Sequence, residues 1–111
     1  MNETLDAFEM VDIRTGTVVA AEHFPEARNP AYKLTVDFGE HIGMKRSSAQ
    51  LTLRYALDDL IGTQVIAVVN FPPKRIAGFT SEVLVLGVPD ETGAVVLIRP
   101  DRMVPNGARL F

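Results

Sequence analysis

The chain has 111 residues, with 14 acidic against 11 basic side chains, no cysteine and no tryptophan. That is the length of one domain, residues 1–111, whose single core can bury roughly 60–70% of the unfolded surface without metal or disulfide staples. The missing cysteines exclude disulfide frameworks and thiolate metal or redox sites, and a net charge of −3 excludes a uniformly basic nucleic-acid coat. Apolar runs end after five or six residues, far short of the roughly 20 that a bilayer helix needs. The start Met1-Asn2-Glu3-Thr4 lacks the basic region of a signal peptide. A cytoplasmic protein without membrane insertion is expected.

In chain order, Thr4 to Glu9 is a short helix with Leu5 and Phe8 on one side, marginal unless it docks on an apolar surface. Ile13 to Ala21 is β-branched and forms the first strand, with Gly16 marking a bulge or bend. Phe24 to Pro30 is a loop, and Lys33 to Phe38 alternates as a half-buried strand. Ile42 to Gln50 is a third strand. Thr52 to Leu60 carries Leu53, Ala56, Leu57 and Leu60 at helical spacing and ends at Gly62. Val65–Val69, Val83–Leu86 and Ala94–Ile98 are apolar strands, the last two joined by a hairpin turn over Pro89–Gly93. Asn106-Gly107 is another tight turn.

Strands with one helix between the third and fourth predict an all-β fold, a five-stranded Greek-key OB-fold barrel with a short N-terminal helix. The three continuous apolar runs add a second expectation. A strand of a small barrel has one inward and one outward face, so a wet exterior imposes alternation, which Val65 to Val69 lacks. Part of that outward apolar surface must be covered, either by the helix or by a partner, and a homodimer is the commonest solution.

Charge is uneven. Residues 1–12 hold Glu3, Asp6, Glu9 and Asp12 without a base, while Lys45, Arg46 and Arg54 share one acid-free stretch and Lys74 with Arg75 another. Charge alone leaves two readings of these stretches, an anion-facing surface or ordinary solvated residues.

No catalytic constellation emerges. His23 and His41 have no metal-ligand spacing, Asp58 and Asp59 diverge on a helix, Ser47 and Ser48 lack a base in sequence reach, and there is no P-loop or dinucleotide fingerprint. The chain reads as a binding protein rather than an enzyme, with no catalytic residue, metal or cofactor expected. The densest signal is Asn70 to Glu82, where prolines stiffen a loop, Lys74 and Arg75 project from it and Phe71 and Phe79 flank them. Such a loop can hold phosphates while its rings stack on bases at roughly 1–3 kcal/mol each, or its rings can be buried anchors.

Two motifs carry a resemblance. Asp12-Ile13-Arg14-Thr15-Gly16 and Asn70-Phe71-Pro72-Pro73-Lys74-Arg75-Ile76-Ala77-Gly78-Phe79-Thr80-Ser81 resemble the signatures of the tRNA-binding domain of methionyl-tRNA synthetases, the phenylalanyl-tRNA synthetase beta chain and small dimeric tRNA-binding proteins. With Phe24-Pro25-Glu26-Ala27-Arg28 and Lys45-Arg46-Ser47-Ser48-Ala49-Gln50 added, the chain resembles the CsaA type of this family, chaperones associated with protein export. The resemblance implies an OB-fold homodimer that binds unfolded or precursor polypeptides and cooperates with the secretion motor ATPase, on a scaffold shared with tRNA binders. It places RNA contacts at Arg14, Asn70, Lys74, Arg75 and Ser81, to which Lys45, Ser47 and Ser48 are added from their own chemistry. Met44, Phe71, Ile76 and Phe79 are expected to line a peptide groove near the dimer seam. After Ser81 the synthetase pattern Ser-x-Gly-Met becomes Ser81-Glu82-Val83-Leu84, so a Cβ at Val83 stands against close approach of an RNA backbone.

Overall fold

The alternation of Leu34, Val36 and Phe38 with polar neighbours fixes which face of the sheet turns inward, and the rest of the barrel is assembled on that face. The computed structural model describes residues 2–111. Its helices are α1 (Glu3–Met10) and α2 (Leu57–Leu60), and its strands are β1 (Ile13–His23), β2 (Tyr32–Asp37), β3 (Met44–Ala49), β4 (Gln64–Val68), β5 (Lys74–Ile76), β6 (Phe79–Ser81), β7 (Leu84–Val85), β8 (Gly87–Pro89) and β9 (Val95–Leu97). Five of these form one antiparallel sheet in the order β3-β2-β1-β4-β7, while β5-β6 and β8-β9 are separate hairpins. The sheet curls into a nearly closed five-stranded barrel, the OB-fold that the pattern of elements predicts. Its interior is filled by Val18, Leu34, Val36, Phe38, Val65 and Ala67 from the strands and by Leu60 from α2, all but excluded from solvent.

β1 is long enough to pair with β4 through its first half and with β2 through its second. The register slips between Val18 and Ala20, leaving exposed Val19 as the extra residue, and this bulge supplies the bend that lets one strand serve both sides of the barrel. Gly16 is therefore not the bulge. It pairs regularly with Val65, and its missing side chain matters for packing instead: a Cβ there would stand 2.6 Å from Val36 Cγ1 and 2.8 Å from the Phe38 ring.

The helix expected over Thr52–Leu60 shrinks to the single turn of α2. Ala56 is extended (ψ 159°), and the Tyr55 carbonyl just before it accepts the Tyr32 hydroxyl at 2.7 Å. Tyr55 in turn accepts the Leu97 N–H on its own hydroxyl at 3.0 Å. Tertiary hydrogen bonds thus take the residues that the leucine spacing would have made helical, and Leu53 is left exposed.

β4 corrects a second expectation. Both of its faces are buried within this one chain, Val65 and Ala67 in the barrel interior and Ile66 and Val68 on the other side. On that other side the Gln64 carboxamide clasps the C-terminal segment, donating to the Val104 carbonyl at 2.7 Å and accepting its N–H at 3.1 Å. The turn at Asn106-Gly107 then sends the chain back along β1, with Gly107 N–H donating to Thr15 O at 2.7 Å and Leu110 N–H to Ile13 O at 2.9 Å. Gly107 has φ +90°, and a Cβ would meet the Phe38 carbonyl at 2.7 Å, so glycine is needed twice over. The outward apolar surface lies elsewhere: Leu84, Val88, Val96 and Ile98 on the β7 to β9 side, and Leu5, Phe8, Leu110 and Phe111 where the two chain ends meet.

Candidate functional site

The Asn70 to Glu82 segment is more ordered than a stiffened loop. Ala77 (φ +48°) and Gly78 (φ +81°) form a two-residue turn with both central residues left-handed, the type whose twist suits a β-hairpin, and β5 and β6 pair across it. The glycine is legible in the sequence as a turn former. The alanine hides the turn, because a Cβ in that conformation costs about 1–2 kcal/mol and is not what a hairpin signal looks for.

The hairpin splits the basic pair. Side chains alternate along β5, so Lys74 and Ile76 share the face turned to the barrel while Arg75 takes the other, where its Nη1 donates to Thr80 Oγ1 at 2.8 Å. Beneath Lys74 and Ile76 lies a groove of about 440 Å³. It follows the seam where β3 and β7, the two ends of the sheet, fail to pair as strands. Phe71 and Ile76 overhang it, Leu84, Leu86, Val95 and Leu97 line it, and Lys74, Ser48 and Glu82 supply polar groups.

The seam is pinned by one backbone hydrogen bond and by side chains in place of a strand ladder. Glu82 N–H donates to the Arg46 carbonyl at 2.7 Å, and the Glu82 carboxylate accepts the Arg46 N–H at 3.0 Å. The same carboxylate stands 3.9 Å from Lys45 Nζ. Ser81 Oγ accepts the Ser48 N–H at 2.9 Å. Alternate donors on the free edge of β3 are therefore satisfied, which prevents that edge from recruiting a further strand.

The expected contact residues scatter around this frame. Lys74 and Arg75 are exposed, Lys45 is half-buried beside Glu82, and Ser48 reaches the groove. Ser81 is 9% exposed and occupied with Ser48. Ser47 is corrected outright: it is 0% exposed, and its hydroxyl donates inward to the carbonyls of Ser48 and Val83, so it has no surface to present. Asn70 and Arg14 belong to a latch at the far end of β4. Asn70 Oδ1 accepts the Asp12 N–H at 2.8 Å and its Nδ2 donates to the Met10 carbonyl at 2.9 Å. Arg14 Nε donates to Asp12 Oδ1 at 2.6 Å and its Nη1 to the Gly107 carbonyl at 2.9 Å, while Arg109 donates to the Glu9 carbonyl at 2.8 Å. The latch ties the end of α1 to the C-terminal segment.

Of the four expected groove residues, Phe71 and Ile76 are there. Phe79 is 7% exposed and packs edge-to-face on Phe24, with ring centroids 5.4 Å apart, in a satellite cluster against which Ile76 also packs. Met44 is exposed at the start of β3, opposite Asp37, outside the groove. Val83 turns its side chain into the core at 6% exposure, so its Cβ is no obstacle on the outer surface. Sequence reasoning missed the groove's own walls, Leu84, Leu86, Val95 and Leu97, though the lack of alternation in those runs was the signal for them.

Comparison with known proteins places this geometry. A family model with the description "Putative tRNA binding domain" matches residues 13–109. The solved chaperone CsaA of Bacillus anthracis str. Ames is 57% identical, with 100% of this chain and 99% of that one covered and a TM-score of 0.91. The CsaA chaperone protein of Picrophilus torridus is 50% identical, with both chains covered completely and a TM-score of 0.90. Methionine–tRNA ligase 1 of Sorangium cellulosum (strain So ce56) is 39% identical over 107 residues, which is 96% of this chain but 15% of the ligase. The signatures at Asp12–Gly16 and Asn70–Ser81 thus sit on the fold and the sequence background they imply, and the chain belongs to the tRNA-binding domain family, with CsaA chaperones similar to it from end to end.

Proposed function

We propose that this protein is a homodimeric chaperone of the CsaA type, which binds unfolded or precursor polypeptides in the cytoplasm and keeps them competent for export. The observation that carries the reading is the apolar seam groove, overhung by Phe71 and Ile76 and lined by four aliphatic side chains, on a chain similar throughout to proteins named as CsaA chaperones. An extended client segment laid along the seam buries its apolar side chains against these walls, each worth up to about 1.5–3 kcal/mol when fully covered. Lys74 offers acidic client residues a charge at the rim. The work is binding alone, with no bond made or broken. Delivery to the secretion motor ATPase rests on the resemblance.

The dimer in this reading is built on the chain ends. Leu5 and Phe8 of α1 face solvent beside Leu110 and Phe111, around a hollow of about 670 Å³. A second copy would remove that apolar surface from water, which is what α1 lacks on its own: none of its residues is buried. Sedimentation at micromolar concentration is expected to give twice the 12.2 kDa chain mass, and a single-chain mass throughout would reject the dimer.

A second reading, structure-specific tRNA binding, is favoured by the family match and by the exposed cations of the hairpin. Salt separates the two. Protection of an unfolded precursor from aggregation, followed by light scattering, is expected to persist or strengthen as salt rises, whereas tRNA affinity falls steeply through counterion release. Phe71→Ser should weaken protection while the protein stays folded. Wild-type protection by that variant, or protection that disappears with salt, would count against the groove.

A further inference from the structure

We infer that the seam groove takes its client as an added β-strand, paired to the open backbone edge that Val85 and Gly87 present along β7 and β8. The inference rests on the chaperone reading and names what that site selects: an extended segment of unfolded polypeptide, recognised through its main chain.

In an antiparallel ladder the N–H and C=O of successive residues point to opposite edges of the strand, so the register fixes which of them are used. Leu86 N–H donates to the Ile66 carbonyl of β4 at 2.8 Å, and the Leu86 carbonyl accepts the Ile98 N–H, just past β9, at 3.2 Å. The chain from Leu84 to Pro89 therefore behaves as one strand that passes from β4 to β9 as its partner, and Leu84, Leu86 and Val88 are the residues turned to those partners. Val85 and Gly87 turn the other way, to the seam. Val83 precedes them on that edge, and its carbonyl is taken by the hydroxyls of Ser47 and Ser81 at 3.1 and 3.4 Å. For the backbone of Val85 and Gly87 no partner stands on the edge among the described residues, and both residues line the groove.

The two sides of the seam are thus unequal. On the β3 side the N–H groups of Arg46 and Ser48 are spent on Glu82 and Ser81. On the other side two donors and two acceptors stay open, and such an edge is complementary to extended backbone whatever its side chains. Pro89, next in the alternation, has no N–H and ends the edge, which spans about 13 Å from Val85 and suits a short segment of about five residues. A client paired there turns alternate side chains to the aliphatic lining, where Val95 and Leu97 stand on either side of the pairing position of Val96. Gly87 puts no side chain in the way, since the place of its Cβ, 2.6 Å from Val95 Cγ1, is already filled. Charge gives the client a direction. Of the two charged residues that line the groove, Glu82 is engaged by Lys45 and the Arg46 N–H, whereas Lys74 has no ion-pair partner among the described residues, so the flank that meets it is acidic.

The test uses the intact protein and a short fluorescein-labelled peptide, apolar at alternate positions and with a glutamate at one end, followed by anisotropy. Two further copies of the peptide carry N-methyl groups, one on each alternate set of residues. They bear equal numbers of methyl groups but lose their donors from opposite edges of the strand. One copy is expected to bind about tenfold more weakly than the parent, and the other within about threefold of it. Hydrogen exchange of the Val85 and Gly87 amides is expected to slow when the parent peptide binds. Parental affinity in both copies, equal loss in both, or unchanged exchange at Val85 and Gly87 with the parent bound would overturn strand pairing. Phe71→Ser separates this result from the groove reading. A parent peptide that binds wild type and Phe71→Ser alike removes the groove and strand pairing with it, whereas a parent that needs Phe71 while both copies bind equally well removes strand pairing alone.

Discussion

Replacing Asn70 by alanine asks whether a signature residue of the family touches ligand or holds the scaffold. Its carboxamide makes two hydrogen bonds, accepting the Asp12 N–H at 2.8 Å and donating to the Met10 carbonyl at 2.9 Å. Each bond to a backbone group is worth about 0.5–1.5 kcal/mol net, and both lie at the surface, so the pair is worth about 1–2 kcal/mol together. For a domain of this size that is a fall in melting temperature of about 4–10 °C. The loss should be local first. α1 buries none of its residues, and the Asn70 bond to Met10 is one of the few ties on its C-terminal end. Hydrogen exchange of α1 amides is therefore expected to accelerate more than that of β2 or β3. tRNA affinity, measured well below the melting point, should change less than twofold. A variant that melts like wild type but loses RNA affinity tenfold would refute this reasoning and return Asn70 to the ligand.

Removing both hairpin cations, Lys74→Ala with Arg75→Ala, is expected to lower tRNA affinity and shrink its salt slope by about 1.5. Unchanged binding in a filter assay would reject a phosphate role for them. Ala77→Gly relieves a left-handed Cβ and should raise stability by about 0.5–1 kcal/mol after the entropy of the added glycine is counted, visible as a higher melting temperature. A lower one would contradict the turn. Asp90, which the Thr92 hydroxyl above all holds at a pKa of about 2 against an ordinary 3.8, stabilises the β8 to β9 hairpin in its charged form. Because the folded value is the depressed one, its contribution is complete above about pH 4 and disappears as pH falls towards 2. The melting-temperature gap between wild type and Asp90→Asn should therefore close over that window, and a gap independent of pH would show the turn to be held by something else.

The barrel was legible because its inward face obeys a simple period. Leu34, Val36 and Phe38 announce their burial by alternation, and the Pro89–Gly93 hairpin announces itself by turn chemistry. What failed to show was decided by distant partners. Nothing local to Thr52–Leu60 says that Tyr55 will be held between Tyr32 and Leu97, so the leucine spacing overstates the helix. Nothing local to β4 says that residues some 40 positions onward will cover its outer face. The site follows the same division. Phe71 and Ile76 follow from reading the basic, aromatic loop as a peptide-binding segment and Lys74 is expected as an RNA contact rather than at the groove, whereas Ser47 and Phe79 could be placed only once β3 had chosen its faces and the hairpin its partner, Phe24.

The β5 to β6 hairpin joins the seam groove to the satellite cluster of Phe24 and Phe79. Lys74 and Ile76 stand directly opposite Ser81 and Phe79, so all four share one face of the hairpin, and Ile76 both borders the groove and packs with Phe24 and Phe79. For a polypeptide in the groove the driving force would be removal of apolar surface from water, which salt sustains; for RNA on the exposed cations it would be release of counterions, which salt abolishes. The hairpin is tied to the barrel by Ser81 on Ser48 and by the Glu82 bonds to Arg46, the residue that also caps the Phe79 ring. Arg46 therefore meets the seam through its backbone and Glu22 and the Phe79 ring through its side chain. The partners of the guanidinium, Glu22 and Phe79, both stand outside the groove lining, so truncating the Arg46 side chain is expected to leave the groove walls in place.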